Sequence, residues 1–278
     1  MSDFILSNEP TIRLSFFAGI FLVFALLEVF APRRARSHTR LLRWPNNIAI
    51  SVLNTAVLRL ITPTAAVGLA LLGQENGWGL LNQVGMPVWL SFLIAVLILD
   101  FVIYLQHLLF HAVPILWRFH RMHHADTDID VTTGVRFHPV EIVLSMVLKL
   151  SVVAALGPPA IAVVVFEVVL NATSMFNHSN IKLPLAFDRV LRLFVVTPDM
   201  HRVHHSVLPN ETNSNFGFNI PWWDRLCGTY RAQPEKGHEG MTIGIEQFRE
   251  PRELWLDRML TQPGRGPAGS YPINRRDT

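Results

Sequence analysis

Long apolar stretches separated by short charged ones give this chain its first legible structure. The first stretch runs from Leu14 to Phe30 and carries one charge, Glu28, near its end. As a helix rising about 1.5 Å per residue it comes close to the roughly 30 Å of a bilayer core. A cleaved leader is the competing reading, but Arg13 is the only basic residue ahead of the run and no small-x-small site follows it. The second stretch, Ile48 to Leu72, holds Arg59 in its middle and Pro63 a turn later. An arginine at that depth is costly and should face a protein partner or a lipid headgroup. Glu75-Asn76-Gly77 then reads as a turn. The third stretch, Val88 to Leu105, has Asp100 as its only charge and continues without a breaker into His107. A fourth region, Val140 to Phe176, is broken by Gly157-Pro158-Pro159 and so reads as a helix hairpin. Glu141, Lys149 and Glu167 on its arms suggest faces turned toward protein.

Charge between the stretches sets an orientation. Arg33, Arg34, Arg36, Arg40 and Arg43 follow the first run, so that loop is expected in the cytoplasm and the N-terminus outside. The expected fold is an all-α integral membrane bundle of about four transmembrane helices, the last two a hairpin, beneath a cytosolic helical cap. Residues 106–139 and 177–278 then share the cytoplasmic side, and eleven of the twelve histidines lie in them, His38 being the exception. Residues 1–231 are expected to form a single membrane-embedded catalytic domain and 232–261 a C-terminal extension. Residues 262–278, rich in Pro, Gly and Arg, are expected to be a flexible tail. No repeat with a solenoid period is visible.

Composition agrees with a membrane protein. Half of the residues are hydrophobic and 16% are charged, against about 25% in soluble domains. The net charge of +3 fits basic loops beside membrane helices rather than a nucleic-acid footprint, and no nucleic-acid partner is expected. Cys227 is the only cysteine, which excludes an internal disulfide, a cysteine-ligated zinc site and an iron–sulfur cluster. Any metal must be held mainly by imidazole.

The histidines are clustered. His107 and His111 are spaced i, i+4. His120, His123 and His124 are spaced i, i+3, i+4, and His201, His204 and His205 repeat that spacing. On a helix these offsets share one face, with Cβ atoms about 5–6 Å apart, so pairs can converge on one metal and a triplet can serve two. Thr197-Pro198-Asp199 supplies an N-cap, a proline at N1 and an acid in the first turn for a short helix carrying the last triplet. Eight clustered imidazoles exceed one mononuclear site, since a catalytic zinc typically takes three protein ligands. They suit two redox metals, and two irons can together supply electrons to cleave O2 and oxidise a C–H bond. The single histidines His138 and His178 stand near the clusters in sequence, while His38 and His238 read as interfacial fillers.

These motifs resemble the fatty acid hydroxylase (sterol desaturase) superfamily of membrane-bound, histidine-rich di-iron oxygenases, over about residues 90–231. The resemblance rests on HxxxH at 107–111, HxxHH at 120–124 and HxxHH at 201–205. It extends to Arg136-Phe137-His138-Pro139 with Glu141, and to Asn215-Phe216-Gly217 leading to Trp223 through Thr229. It implies two iron ions, O2 as co-substrate, a membrane lipid substrate, and electrons from a separate ferredoxin and reductase or a b-type cytochrome. Hydroxylation and desaturation are both open. It also implies that the catalytic centre is the metal site itself, ligated by His107, His111, His120, His123, His124, His201, His204 and His205, with His178 as ninth ligand. Some relatives have an HxxxH pair where this chain has Ser174 and His178, so a tenth position is left open for His138, a water or a carboxylate.

Asp126, Asp128, Glu141 and Asp199 lie close enough in sequence to hold imidazole tautomers, or merely to cap and solvate. Three rival functions remain. A zinc membrane hydrolase would need a glutamate base as in HExxH, which neither HxxHH copy contains. A b-haem electron carrier needs only two axial histidines. A metal sensor or transporter would place its ligands within the spans.

Overall fold

The computed structural model describes residues 2–62 and 65–273. Among them there is no strand, only the isolated bridges Pro32–Ile181 and Ser206–Ile243. The helices that matter are α1 Ser2–Ser7, α2 Glu9–Phe30, α3 Arg40–Ile61, α4 Ala65–Asn76, α5 Leu80–Gln83, α6 Val88–Ala112, α7 Pro114–His124, α8 Pro139–Leu156, α9 Ala160–Asn177, α10 Leu185–Leu191 and α11 Pro198–His204.

Five stretches of the described residues are long and apolar enough to cross a membrane: α2, the broken run 40–83, α6, α8 and α9. That is one more than the expected four: three separate stretches precede the hairpin, and each hairpin arm is a full 18 residues, or about 27 Å of helix. The hairpin turns where Gly157 takes φ +62, and a Cβ there would sit 2.5 Å from the Trp78 carbonyl oxygen. Only glycine meets both demands. Gln74 Oε1 accepts the first N–H of α9, from Ala160, at 3.0 Å. Helix α9 is central, packing against α2, α4 and α6.

The second apolar run is divided differently from its hydropathy. Asn54 donates from Nδ2 to the Phe137 carbonyl at 2.8 Å, one residue before the N-cap of α8. The first half of α3 therefore runs beside the segment that leads into α8, and its end continues toward α4. Arg59 is exposed on the last turn of α3, about 8 Å beyond Asn54, from where its long stem can carry the charge to an interface. Pro63 lies outside the described residues. Within the bundle, Glu167 meets Lys149 at 2.5 Å and Arg13 at 2.8 Å, and Arg13 meets Glu9 at 2.5 Å. Lys149 and Glu167 on the hairpin arms thus face protein, and this quartet, with Glu167 buried at its centre, is neutral.

The segments around the histidine clusters are held by buried charge. Arg43 on α3, fully buried, forks onto Asp126 at 2.8 and 2.7 Å and reaches Asp130 at 2.5 Å. Burial opposes the ionisation of Asp126, but the Arg43 and Arg136 guanidiniums hold its carboxyl down at about 2. Glu28 at the end of α2 accepts the N–H of Val131 at 2.7 Å and of Asn180 at 2.9 Å. These contacts fix the irregular segments between α7 and α8 and after α9.

Residues 262–273 depart from the expected flexible tail. Arg121 on α7 donates to the carbonyls of Gln262 at 2.6 Å, Arg265 at 2.5 Å and Pro267. Trp117 donates to the Ala268 carbonyl at 3.0 Å and stacks on Tyr271 at 5.3 Å. Beyond a short 3-10 turn at Gln262–Gly264, proline and glycine keep this segment out of regular structure, but α7 supplies enough donors and aromatic surface to order it. Residues 274–278 lie outside the described residues.

Candidate metal centre

Each histidine cluster sits where a helix ends. Helix α6 carries His107 and His111 in its last two turns, and Pro114 then restarts the chain as α7 with His120, His123 and His124 at its C-terminal end. His178 is the C-cap of α9. Helix α11 begins as its sequence requires: Thr197 accepts the Met200 N–H, with Pro198 and Asp199 in the first turn. It presents His201 and His204, with His205 as its C-cap.

The nine side chains converge as two groups. The first is His107, His111, His120, His124 and His204; the second is His123, His178, His201 and His205. Within each group the candidate ligand nitrogens all lie within 4.8 Å of one another. Every one of these residues is buried, none more than 4% exposed. The groups abut, with ring centroids 4.6 Å apart for His124–His205, 5.0 Å for His201–His204 and 5.2 Å for His120–His123.

The outer nitrogens identify the tautomers. His107 Nδ1 donates to the Phe216 carbonyl at 2.8 Å, and His120 Nδ1 to Glu141 at 2.7 Å. His123 Nδ1 donates to the Arg136 carbonyl at 3.1 Å, and His178 Nδ1 to the Ser174 carbonyl at 2.7 Å. In a neutral ring the proton on Nδ1 leaves Nε2 with only a lone pair. Yet Nε2 of His107 faces Nε2 of His120 at 3.1 Å, and Nε2 of His123 faces Nε2 of His178 at 3.1 Å. Two buried lone pairs cannot satisfy one another, whereas a cation between them satisfies both. Nε2 of His111, His204 and His205 have no partner at all. Burial, then neighbouring imidazoles, hold His123, His124, His201 and His205 well below the usual histidine range. Burial and then His120 do the same to His204, and burial brings His178 down to about 4. Neutral imidazole is the ligand form. The donor set fits two adjacent, nitrogen-ligated metal ions.

His138 stays outside both groups. It caps α8, its Nδ1 accepting the Val140 N–H at 3.2 Å, and its Nε2 donates to the Leu260 carbonyl at 3.2 Å. Both ring nitrogens are spent on backbone groups, and it joins neither group. Ser174 is a bracket: its carbonyl orients His178, and its hydroxyl donates to the Gly134 carbonyl at 2.7 Å. A Cβ on Gly134 would meet the Ser174 carbonyl oxygen at 2.6 Å, so the approach needs glycine. Of the four nearby acids only Glu141 holds one of the nine imidazoles, while Asp199 lies 3.6 Å from Nε2 of His238, outside both groups. Asp126 serves Arg43, Asp128 accepts the N–H groups of Ser37 and His38 at 2.9 Å each, and Asp199 pairs with Arg202 and Arg33.

Several contributors lie outside the histidine pattern. The Ser214 carbonyl accepts from His204 Nδ1 at 2.7 Å, and Asn213 Oδ1 from His111 Nδ1 at 3.1 Å. Asn213 in turn donates to the Tyr271 carbonyl at 2.7 Å. Asp224 accepts the N–H groups of Phe216 and Gly217, both at 2.8 Å, and so fixes the loop whose carbonyl holds His107.

Comparison with known proteins agrees with the motif pattern. Residues 92–229 match the fatty acid hydroxylase family model. The ornithine lipid hydroxylase OlsE of Rhizobium tropici is 30% identical over 148 residues, 53% of this chain and 44% of that protein. Human alkylglycerol monooxygenase (Homo sapiens) is 30% identical over 165 residues, 58% of this chain and 35% of that protein. Cholesterol 25-hydroxylase of Rattus norvegicus is 31% identical over 145 residues, 51% of this chain and 47% of that protein. The matched stretch thus spans less than half the length of each of these relatives. No solved structure matches.

Proposed function

We propose that this chain, which belongs to the fatty acid hydroxylase family over residues 92–229, is an integral-membrane, O2-dependent di-iron hydroxylase of a membrane lipid. The observation that carries this reading is the division of nine buried neutral histidines into two abutting groups, each with Nε2 lone pairs turned inward. The relatives named as hydroxylases and monooxygenases favour hydroxylation over desaturation. His107, His111, His120, His124 and His204 would hold one ion, and His123, His178, His201 and His205 the other. Two irons in these positions would supply the redox chemistry that joins one oxygen atom of O2 to a substrate carbon and reduces the other to water. The two electrons and two protons this requires come from a separate ferredoxin and reductase or a b-type cytochrome.

The chain's own residues do the rest. Glu141 and the carbonyls of Phe216, Arg136, Ser174 and Ser214 keep Nδ1 protonated and Nε2 free for metal. Burial of the whole set excludes water, which would otherwise quench a reactive centre. Oε1 of Glu141 is committed to Nδ1 of His120. The basic loop after α2 supports placing the centre on the cytoplasmic side, with the N-terminus outside.

The test is elemental analysis of detergent-purified protein expressed with iron available. About two irons per chain, with host lipids that gain one oxygen atom and lose it in His204→Ala, are expected. One zinc with no iron, or a haem, would overturn the reading.

A further inference from the structure

Nine sealed imidazoles must still be reached by a substrate carbon, and the rings around them show where. Among the described residues, five other aromatic side chains lie in ring contact with the nine histidines: Phe110, Trp117, Phe137, Phe216 and Phe218. Phe110, Trp117 and Phe216 are buried at 3%, 0% and 0% exposure. Phe137 and Phe218 are half-buried. They are therefore the two aromatic neighbours with a face open beyond the chamber.

Both rings touch both histidine groups. Phe137 stacks on His123 of the second group with centroids 4.5 Å apart, at 13°, and lies 6.4 Å from His120 of the first. Phe218 stands 5.4 Å from His107 in the first group and 6.1 Å from His201 in the second. On its other side Phe218 packs against the apolar cluster that α4, α6, α8 and α9 build inside the bundle, including Leu99, Ile103 and Phe166. The two phenyl rings lie 6.5 Å apart, close enough to leave no passage for a hydrocarbon chain while both stay in place.

Their backbones are pinned while their side chains are not. The Phe218 carbonyl accepts from Asn177 Nδ2 at 3.0 Å, and the Phe137 carbonyl from Asn54 Nδ2 at 2.8 Å. Opening thus needs only a rotation about the side-chain bonds, which displaces apolar surface and breaks no hydrogen bond.

We propose that Phe137 and Phe218 form a side-chain gate through which an apolar segment of a lipid passes from the bundle interior to the metal centre. The identity of what passes rests on the proposed function; the position of the gate does not. Cap-side entry is opposed by the buried Trp117–Tyr271 stack and the Arg121 clamp on residues 262–267.

The experiment compares two chelators on the full-length, metal-loaded protein in lipid vesicles. Dinonyl-bipyridine partitions into the bilayer, and bathophenanthroline disulfonate stays in water. Metal remaining on the protein is counted by elemental analysis, so the assay works whichever metal is bound. Phe218→Ala is expected to speed extraction by dinonyl-bipyridine about tenfold or more, a barrier change of about 1.4 kcal/mol, with extraction by the disulfonate unchanged. Phe218→Trp is expected to slow the first rate several-fold and again leave the second alone. Equal acceleration of both rates in Phe218→Ala would mean general loosening and would overturn the gate, as would no change in either variant. Should Phe218→Ala hold no metal, the direction of change in Phe218→Trp decides. Zinc in place of iron in the wild type would remove the oxygenase reading and leave the chelator comparison standing.

Discussion

The two histidine groups are built from the same parts and held differently. Helix α7 gives two ligands to the first group and one to the second; α11 gives one and two, from an identical HxxHH spacing. In the first group four of five rings have the outer nitrogen fixed by protein: His107, His111, His120 and His204. In the second only His123 and His178 do, while Nδ1 of His201 and His205 has no partner. The first group is thus oriented by the fold before any metal arrives, and the second is partly oriented by the metal. Equal motifs do not make equal sites; the carbonyls and the carboxylate behind the rings set the difference.

The largest effect should come from removing one ligand of each group on the same helix. His204→Ala and His201→Ala are each expected to abolish activity and to lower metal content from about two ions per chain to about one. Loss of both ions in both variants, by elemental analysis, would mean the groups bind as one unit and would end the comparison. Acid should follow. The folded state holds His178 at about 4 against an ordinary value of 6.5, so the unfolded chain binds more protons between those values. The metal-free protein should therefore lose stability as pH falls from about 6.5 toward 4. His178 alone accounts for on the order of 3 kcal/mol, readable as a falling thermal midpoint in detergent. A midpoint that rises with acid would contradict the sign.

A smaller effect separates the groups directly. Glu141→Gln, which removes the carboxylate behind His120, is expected to weaken metal binding about 10–100-fold at one ion only, leaving the second-group ion unchanged in a stepwise titration. Uniform weakening of both would place Glu141 in the scaffold rather than behind one group. Smallest of all, Tyr271→Phe removes the hydroxyl that donates to the Val207 carbonyl at 3.0 Å and accepts from the Glu246 N–H at 2.9 Å. It should cost about 0.5–1.5 kcal/mol of stability with full metal content, in a denaturation series. Selective loss of the first-group ion would show that the aromatic wall reaches His111 through Asn213.

What sequence could and could not show follows from which atoms act. Side chains with a helical period are legible, so the three clusters, the Thr197 cap and the Gly157 turn were visible in the pattern of residues. Backbone carbonyls carry no letter code, and Phe216, Arg136, Ser174 and Ser214 each hold a ring by one. Acids near a cluster looked alike in the sequence, yet burial beside arginine drew Asp126 and Asp199 to guanidinium partners and left Glu141 for His120. Hydropathy started the second run at Ile48, yet Asn54, six residues further on, is still tied to the Phe137 carbonyl beside the start of α8, because a helix facing protein is as apolar as one facing lipid.

The wall behind His111 has a consequence in time. Ala268, which takes the Trp117 indole proton, is 151 positions away along the chain, and the Ile273 N–H closes onto the His111 carbonyl itself at 3.0 Å. A ribosome delivers α7 long before it delivers those partners. The chamber therefore stays unwalled beside His111 until the chain has grown to those partners, which leaves an interval in which metal can be inserted.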